Sequence, residues 1–415
     1  MRNLRVDRDR LWQSLMEMAE FGATPKGGCR RLALSDEDKQ GRDRFVEWCE
    51  AAGCSVTVDR MGNIFARRPG RDTRRAPVVA GSHLDTQPHG GKFDGVFGVL
   101  AGLEVIRTLN DHAIETEAPI EVAVWTNEEG ARFAPAMIAS GVFAGAFELD
   151  FALACKDPDG RTIGEELERI GYAGEAACGG RPFAALFEAH IEQGPILERE
   201  GKTIGVVTGV QGMRWYDVRV TGQDAHAGPT PMEMRRDALV GAARMIDAVN
   251  RIGHEHLPDA CATVGVVDVS PKSRNTIPGE VTFSVDLRHP DAVVIERMDR
   301  ALRAECTDIA SNARVKVTVE QIWYSPPVAF DPACVDAVRT AAEGLGFGHR
   351  DIVSGAGHDA VYISRVAPTG MIFVPCAGGL SHNEEEKAEP DHLAAGCSVL
   401  LNAILERAGV TPDKA

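Results

Sequence analysis

The sequence predicts an α/β protein that carries a second, smaller α+β domain as an insertion. Buried strand patterns alternate with helical patterns over residues 1–210, and the same style returns over residues 328–415. The strands between these segments alternate strictly between apolar and polar residues, which is typical of a sheet with one face in water. At 415 residues, the chain also exceeds one ordinary domain of about 100 to 200 residues.

The outer segments, 1–210 and 328–415, have the pattern of buried strands covered by helices. Short apolar runs at 78–82, 120–126 and 203–210 predict buried strands, and residues 96–109 carry apolar residues at helical spacing. Segments at 351–360 and 370–376, followed by a helix over 391–408, return to this style. We therefore predict one sheet with covering helices, built from both outer segments.

The inserted domain is marked by strictly alternating strands. Tyr216, Val218 and Val220 alternate with polar neighbours, and the same holds over 281–288 and 315–319. Helical patterns at 235–252 and 292–310, with a strand at 262–269, complete the ferredoxin-like order β-α-β-β-α-β. Glycines on one side and Ser325-Pro326-Pro327 on the other indicate boundaries, so we place this domain at 211–327.

Composition argues against several classes of protein. A formal net charge of -16 disfavours nucleic-acid binding, which depends on lysine and arginine. The first 21 residues lack the apolar core of a secretory signal, and no stretch approaches the about 18 apolar residues of a membrane span. The ten cysteines show no C-x-x-C spacing. Buried thiols in a reducing cytoplasm are therefore expected, rather than disulfides or a structural zinc site.

A histidine and two aspartates follow the first buried strand. The segment GSHLDTQPHGGKFDG (81–95) places His83 and Asp85 just beyond the strand's carboxyl end, where α/β sheets bind ligands, and Asp94 opens the next helix. Histidine and carboxylates are ligands of zinc and similar ions, and a histidine ligand usually has an oxygen partner that fixes its tautomer. We expect Asp85 to be that partner. A glycine-rich turn capped by Asp94 is the alternative.

Three further strand ends present candidate ligands. WTNEEGARF (125–133) carries adjacent carboxylates, Glu128 and Glu129, of which one can bind a metal while the other addresses a water. ALFEAHIEQG (185–194) brings His190, and CAGGLSHNEEE (376–386) brings His382. Taken singly, a solvated Glu-Glu turn or a structural histidine is the simpler interpretation. Four strand ends that each present a ligand type together favour a metal site.

In order and local sequence, these motifs resemble the M20 metallopeptidase family, in particular its branch of N-carbamoyl-L-amino-acid hydrolases, β-ureidopropionases and allantoate amidohydrolases. The resemblance covers essentially the whole chain. It implies two divalent metal ions (zinc, manganese, cobalt or nickel) held by His83, Asp94, Glu129, His190 and His382, with Asp94 as the bridge. It also makes Glu128 the general base and Asp85 the partner of His83. HIEQG marks the branch, since many peptidases have an acidic ligand at the position of His190.

The resemblance makes the inserted domain a lid and dimerisation domain that contributes to the active site. GQDAHAGPTPMEMRRDA (222–238) holds His226, whose family counterpart reaches the active site and stabilises developing negative charge. Arg288 lies on the polar face of a predicted strand, and an arginine fork pairs bidentately with a carboxylate. An arginine on a wet sheet is the alternative. The implied substrate-binding residues are Gln193, Gln211, Asn275, Arg288 and Gly357.

The sequence therefore predicts a metal-dependent hydrolase of the ureido C–N bond of N-carbamoyl-L-amino acids, with N-carbamoyl-β-alanine as a related substrate. The cations would lower the pKa of a shared water, and Glu128 would take its proton. Amino acid, ammonia and carbon dioxide would be released. Allantoate hydrolysis, M20 amino- or carboxypeptidase activity and a silent metal-binding scaffold are the alternatives. The expected partners are a small carboxylated ureido substrate and a second copy in a homodimer, with no nucleic acid and no membrane.

Overall fold

The computed structural model describes residues 3–411. The outer ends of the predicted first domain, residues 1–2 and 412–415, lie outside this range. The described chain divides into two compact units: one is formed by residues up to Thr208 and from Phe330 onward, and the other by Gly209–Ala329. The smaller unit is thus inserted into the sequence of the larger one.

The larger unit begins with an alternation of helices and strands. Its first two helices start at side-chain caps, because Asp7 accepts hydrogen bonds from the second and third residues after it, and Ser35 accepts one from Asp38. In chain order the elements before the insertion are α1 (Arg8–Glu20), α2 (Asp36–Ala51), β1 (Ser55–Val58), β2 (Ile64–Arg68), β3 (Val78–His83), α3 (Val96–Asp111), β4 (Ile120–Trp125), α4 (Ile138–Phe143), α5 (Leu149–Ala154), α6 (Ile163–Ile170), β5 (Ala185–Ile191), α7 (Ile196–Glu200) and β6 (Ile204–Val210).

The smaller unit contains long antiparallel strands and two long helices. Its elements are β7 (Gly212–Thr221), β8 (Ala225–His226), α8 (Ala238–Glu255), β9 (Cys261–Thr263), β10 (Val267–Ser270), β11 (Thr276–Ile277), β12 (Glu280–His289), α9 (Ala292–Ala313), β13 (Lys316–Ser325) and β14 (Val328–Ala329). The chain then returns to the larger unit with α10 (Pro332–Gly344), β15 (His349–Ser354), α11 (Asp359–Ile363), β16 (Thr369–Val374) and α12 (Pro390–Ala408).

Four parallel strands form the centre of the larger unit's sheet. The strand order is β1-β2-β4-β3-β5-β16-β6, and β15 also pairs with β6. Strand β3 runs parallel to β4 and β5, and β16 runs parallel to β5, whereas β2 and β6 are antiparallel to their neighbours β4 and β16. Because the carboxyl ends of parallel strands meet at one edge, the loops that follow β3, β4, β5 and β16 all emerge there.

The four central strands are buried along their whole length, as expected for parallel strands covered on both faces. Helices α3 and α12 pack against them, and most residues of both helices are themselves buried. This arrangement matches the covered sheet that the outer segments predict. The predicted fold class, an α/β domain with an inserted ferredoxin-like α+β domain, is confirmed.

The smaller unit's sheet has the order β10-β12-β7-β13, with β9 also paired to β12. Its apolar face packs on α8 and α9, and the core includes Tyr216, Val218, Val285 and Met298. The single strand expected over 262–269 is two strands, which pair with different parts of β12. Between them one extra residue stands opposite β12, and the Ser284 hydroxyl accepts the Val266 N–H at 3.0 Å, as at a β-bulge.

Within residues 3–411, no helix combines the length and the apolar character that crossing a bilayer requires.

Candidate active site

Five predicted ligand side chains meet at the carboxyl edge of the parallel strands. His83 ends β3, His190 lies near the end of β5, Glu129 follows β4, and Asp94 precedes α3. The fifth, His382, lies in the loop after β16. They form two groups whose ligand atoms lie within 4.8 Å of one another: His83, Asp94 and His190 in one, and Asp94, Glu129 and His382 in the other.

Asp94 belongs to both groups, and each of its oxygens faces one of them. Its Oδ1 lies 3.1 Å from His190 Nε2 and 3.8 Å from His83 Nε2. Its Oδ2 lies 3.3 Å from His382 Nε2. The Gln193 amide and the Ser381 hydroxyl also donate to Oδ2, at 2.9 and 3.0 Å. A carboxylate held in this way can bridge two cations.

The two buried histidines expose the same ring nitrogen to Asp94. The Nδ1 atoms of His83 and His190 each lie 2.9 Å from a main-chain carbonyl oxygen, those of Asp85 and Ile191. A carbonyl oxygen can only accept, so Nδ1 carries a proton in both rings, and Nε2 is the ring atom that remains for a metal ion. A histidine that binds a metal through Nε2 has its proton on Nδ1, and the carbonyl partner orients the ring in this way. The donor set therefore fits metal ions.

The sequence predicts that the carboxylate of Asp85 orients His83, but in the structure a different group of Asp85 does so. The carboxylate Oδ1 lies 3.9 Å from His83 Nδ1, beyond hydrogen-bond distance, and the carbonyl of the same residue makes the contact instead. The carboxylate accepts the main-chain N–H groups of Glu128 and Glu129, at 3.3 and 3.2 Å. Burial raises the pKa of Asp85 to about 7. Asp85 therefore fixes the turn that carries both glutamates.

That turn directs the two glutamates to different groups. Asn127 adopts a left-handed conformation with φ 57° between β4 and Glu128. The Glu128 carboxylate lies 3.5 Å from His83 Nε2, whereas Glu129 Oε2 lies 3.3 Å from His382 Nε2. Burial, followed by the nearby Asp359, raises the pKa of Glu128 well above its ordinary value. A buried carboxyl with a raised pKa beside a metal site suits general-base chemistry near neutral pH.

Gly95 is required by the close approach of the loop to His83. Its φ is 68°, and a Cβ at this position would lie 2.3 Å from ring atoms of His83. Its N–H lies 3.2 Å from His190 Nε2. A side chain here would displace the first ligand group, so glycine is the residue that the geometry demands.

Several residues that support the ligands were not singled out in the sequence. The Gln87 amide donates to Glu129 Oε2 at 2.7 Å, and Glu386 accepts the N–H groups of Phe93 and Asp94 at 2.9 and 3.2 Å. Gln87 lies in the motif 81–95 and Glu386 in the motif 376–386. Nothing in the local sequence pattern distinguishes them from solvated polar residues. Glu188 and His358 form a third group of potential metal ligands with His190. The Glu188 oxygens already accept from Ser82 and from the Ala360 N–H.

The remaining predicted site residues are distributed over both units. His226 and Asn275 are exposed in the smaller unit, where His226 pairs with Thr276 between β8 and β11. Arg288 lies on β12 and forms an ion pair with Asp286 at 2.8 Å. Gln211 is buried at the start of the smaller unit. Gly357 lies in the larger unit, where an added Cβ would stand 2.9 Å from Met137 Cε.

We expect Asp85→Asn to lower kcat about 10- to 100-fold without unfolding the protein. The amide would turn an NH₂ group toward one of the two main-chain N–H groups that the carboxylate accepts, so the glutamate turn would shift. Steady-state ammonia release and circular dichroism would measure the two effects. Asp157→Asn is the matched control, since Asp157 is also buried and accepts two main-chain N–H groups. Equal kcat for Asp85→Asn and the parent protein would contradict this role.

The chain is similar to known proteins over nearly its whole length. The model of "Peptidase family M20/M25/M40" matches residues 79–406. An N-carbamoyl-L-amino-acid amidohydrolase of Rhizobium meliloti is 52% identical over 98% of this chain and 98% of its own. One from Geobacillus stearothermophilus is 36% identical over 97% and 99%. A solved hydantoinase/carbamoylase family amidase from Burkholderia multivorans is 65% identical, with a TM-score of 0.94 over 97% of this chain and 98% of that one.

Proposed function

Because the chain belongs to peptidase family M20/M25/M40, we propose that it uses this family's site to hydrolyse the ureido C–N bond of N-carbamoyl-L-amino acids. One water is consumed, and the amino acid, ammonia and carbon dioxide are released. The observation that carries the proposal is the pair of ligand groups that share Asp94, with Glu128 buried beside them. The full-length relatives named for this activity support the substrate class.

Two divalent cations would be held by the two groups, to both of which Asp94 belongs. Such cations, when bound, polarise a carbonyl oxygen and make a water more acidic. Mixed histidine and carboxylate ligands suit zinc, manganese, cobalt and nickel alike, since selectivity among these ions often follows their availability. Metal analysis of the protein from cells grown with each ion would identify the one it retains.

The chain's own residues then handle the proton. Glu128 accepts a proton from the attacking water and returns it to the leaving nitrogen of the ureido group. Its burial favours the protonated form between these two steps. Asp85 holds the main chain of Glu128 and Glu129, so that neither carboxylate drifts when the charge changes. Positioning of this kind lets a single carboxyl serve as base and then as acid.

The substrate contacts remain predictions. Arg288 is proposed to bind the substrate carboxylate, with Asn275, Gln193, Gln211 and the main chain at Gly357 as further partners and His226 as the residue that stabilises the developing negative charge. Arg288→Ala should raise KM for every carboxylated substrate and leave the metal content unchanged. A uniform fall in kcat with unchanged KM would contradict the assignment of Arg288.

The proposal is tested by ammonia release from metal-loaded protein. The panel comprises several N-carbamoyl-L-amino acids, N-carbamoyl-β-alanine, allantoate and dipeptides, with dipeptide cleavage followed separately. Glu128→Gln protein provides the background. We expect the carbamoyl amino acids to be turned over fastest. Faster ammonia release from allantoate than from the carbamoyl amino acids would make allantoate the preferred substrate. Cleavage of dipeptides alone would make the reaction peptide hydrolysis.

Two further expectations concern assembly and location. We propose that the protein is a homodimer through the inserted unit, which sedimentation at working concentration would test; a monomer of full activity would remove any role for a partner's His226. We also propose a cytoplasmic location. The free cysteines, most of them buried, support a reducing compartment.

A further inference from the structure

A buried arginine from the N-terminal part of the chain contacts the strand that leads to Glu128. Arg42 lies on α2, outside the residues 79–406 that the family model matches. Its side chain is 0% exposed. Its Nε donates to Asp38 at 2.8 Å, and its two terminal nitrogens donate to the Gly62 carbonyl at 2.8 Å and to the Thr126 hydroxyl at 3.2 Å.

The hydroxyl and the main-chain N–H of Thr126 are both held by residues from this N-terminal part. It directly follows β4, and its side chain is completely buried. Its hydroxyl accepts from Arg42, and its main-chain N–H donates to Asn63 Oδ1 at 3.0 Å. Asn63 is in turn fixed by Asp59, which accepts its main-chain N–H at 3.0 Å and its side-chain amide at 2.9 Å.

The chain turns immediately after this anchor. Asn127 has φ 57°, and its amide donates to the Phe133 carbonyl at 2.8 Å. The next residue is Glu128, whose N–H is held by Asp85. Only one residue separates Thr126 from Glu128, so a shift of Thr126 would move the main chain that carries the glutamate.

The chemistry of Arg42 suits a positioning role better than a packing role. A buried guanidinium is costly to desolvate, and an apolar side chain of similar volume often stabilises a core equally well. The planar fork of arginine, however, fixes three partners in defined directions, which lysine cannot do. Here those partners are α2, the turn at Gly62 and the end of β4.

We infer that Arg42 is a positioning residue for hydrolysis: through the Thr126 hydroxyl it fixes the end of β4, and thereby the place of the Glu128 carboxylate. A displacement of about 1 Å at a reacting group can cost about 100-fold in rate. The inference rests on the proposed function only in taking Glu128 as the base.

The test is a double-mutant cycle of Arg42→Lys and Thr126→Val, in metal-loaded protein. We expect each single variant to lower kcat for a carbamoyl amino acid about 10- to 100-fold, with KM changed less than about twofold and metal content unchanged. Because both changes remove the same hydrogen bond, the double variant should be no slower than the slower single variant. Thr126→Ser, which keeps the hydroxyl, should retain kcat.

Thr116→Val is the matched control, since Thr116 is also completely buried and its hydroxyl donates to the Ala118 carbonyl at 2.8 Å. It should lower Tm about as much as Thr126→Val and leave kcat unchanged. The inference is overturned if the two losses in kcat multiply, if the variants lower only Tm or metal content, or if Thr126→Ser is as slow as Thr126→Val. If Arg42→Lys does not fold, the comparison of the Thr126 valine and serine variants decides alone. An active Glu128→Gln protein would instead refute the proposed base.

Discussion

Replacing Glu128 by glutamine is expected to lower kcat by about 100- to 10,000-fold while both metal positions stay filled. The amide keeps the size of the side chain but cannot accept the proton of the attacking water. Glu128 belongs to neither of the ligand groups that share Asp94, so the metal ligands remain intact. Elemental analysis of the purified variant, together with steady-state kinetics, separates turnover from metal binding.

A matched control for this change is Glu104→Gln. Glu104 is also buried, but it pairs with Arg10 at 2.7 Å and is not among the ligand groups. Its replacement should cost stability and leave kcat as it was. Near-normal turnover of Glu128→Gln would remove this residue from the role of base and direct the search to other carboxyls of the site.

Replacing Asp94 by alanine is expected to abolish binding of both metal ions and with it all activity. This residue supplies one oxygen to each ligand group, whereas Glu129 supplies an oxygen to one group only. The parent protein should gain stability on metal addition, by about 2.7 kcal/mol when free metal exceeds Kd 100-fold. Asp94→Ala should show no such rise in Tm.

Glu129→Gln is the informative comparison for Asp94→Ala. It should lose one equivalent of metal and retain the other, because His83, Asp94 and His190 are unchanged. Titration calorimetry or elemental analysis would count the ions. Two ions bound to Asp94→Ala would contradict its role as the shared ligand.

The sequence predicts the architecture well where regular periodicity sets the structure. The mainly apolar runs at 78–82 and 120–126 become buried parallel strands, and the alternating run from Val281 becomes a half-buried strand. Candidate ligands are predictable because four parallel strands end at one edge and the residues that follow them have metal-binding side chains. These features depend on local pattern and on one rule of sheet geometry.

Features that depend on the path of a loop are not predictable in this way. Whether the carboxylate or the carbonyl of Asp85 reaches His83 depends on a few main-chain torsions, and the carbonyl proves to be the partner. The break in the strand expected over 262–269 depends on one extra residue opposite β12. Arg42 meets Thr126 across 84 positions of sequence, and no motif joins them.

The strand order of the larger unit has a consequence for synthesis on the ribosome. Strand β16 lies between β5 and β6, although these two precede β7 in the chain and β16 follows β14. At about 5 to 20 residues per second, roughly 10 to 30 s separate the appearance of β6 from that of β16. During that interval the nascent chain has two strands whose future partner does not yet exist, and unpaired edges of this kind promote aggregation. Slower growth or added chaperone during expression should therefore raise the yield of native protein.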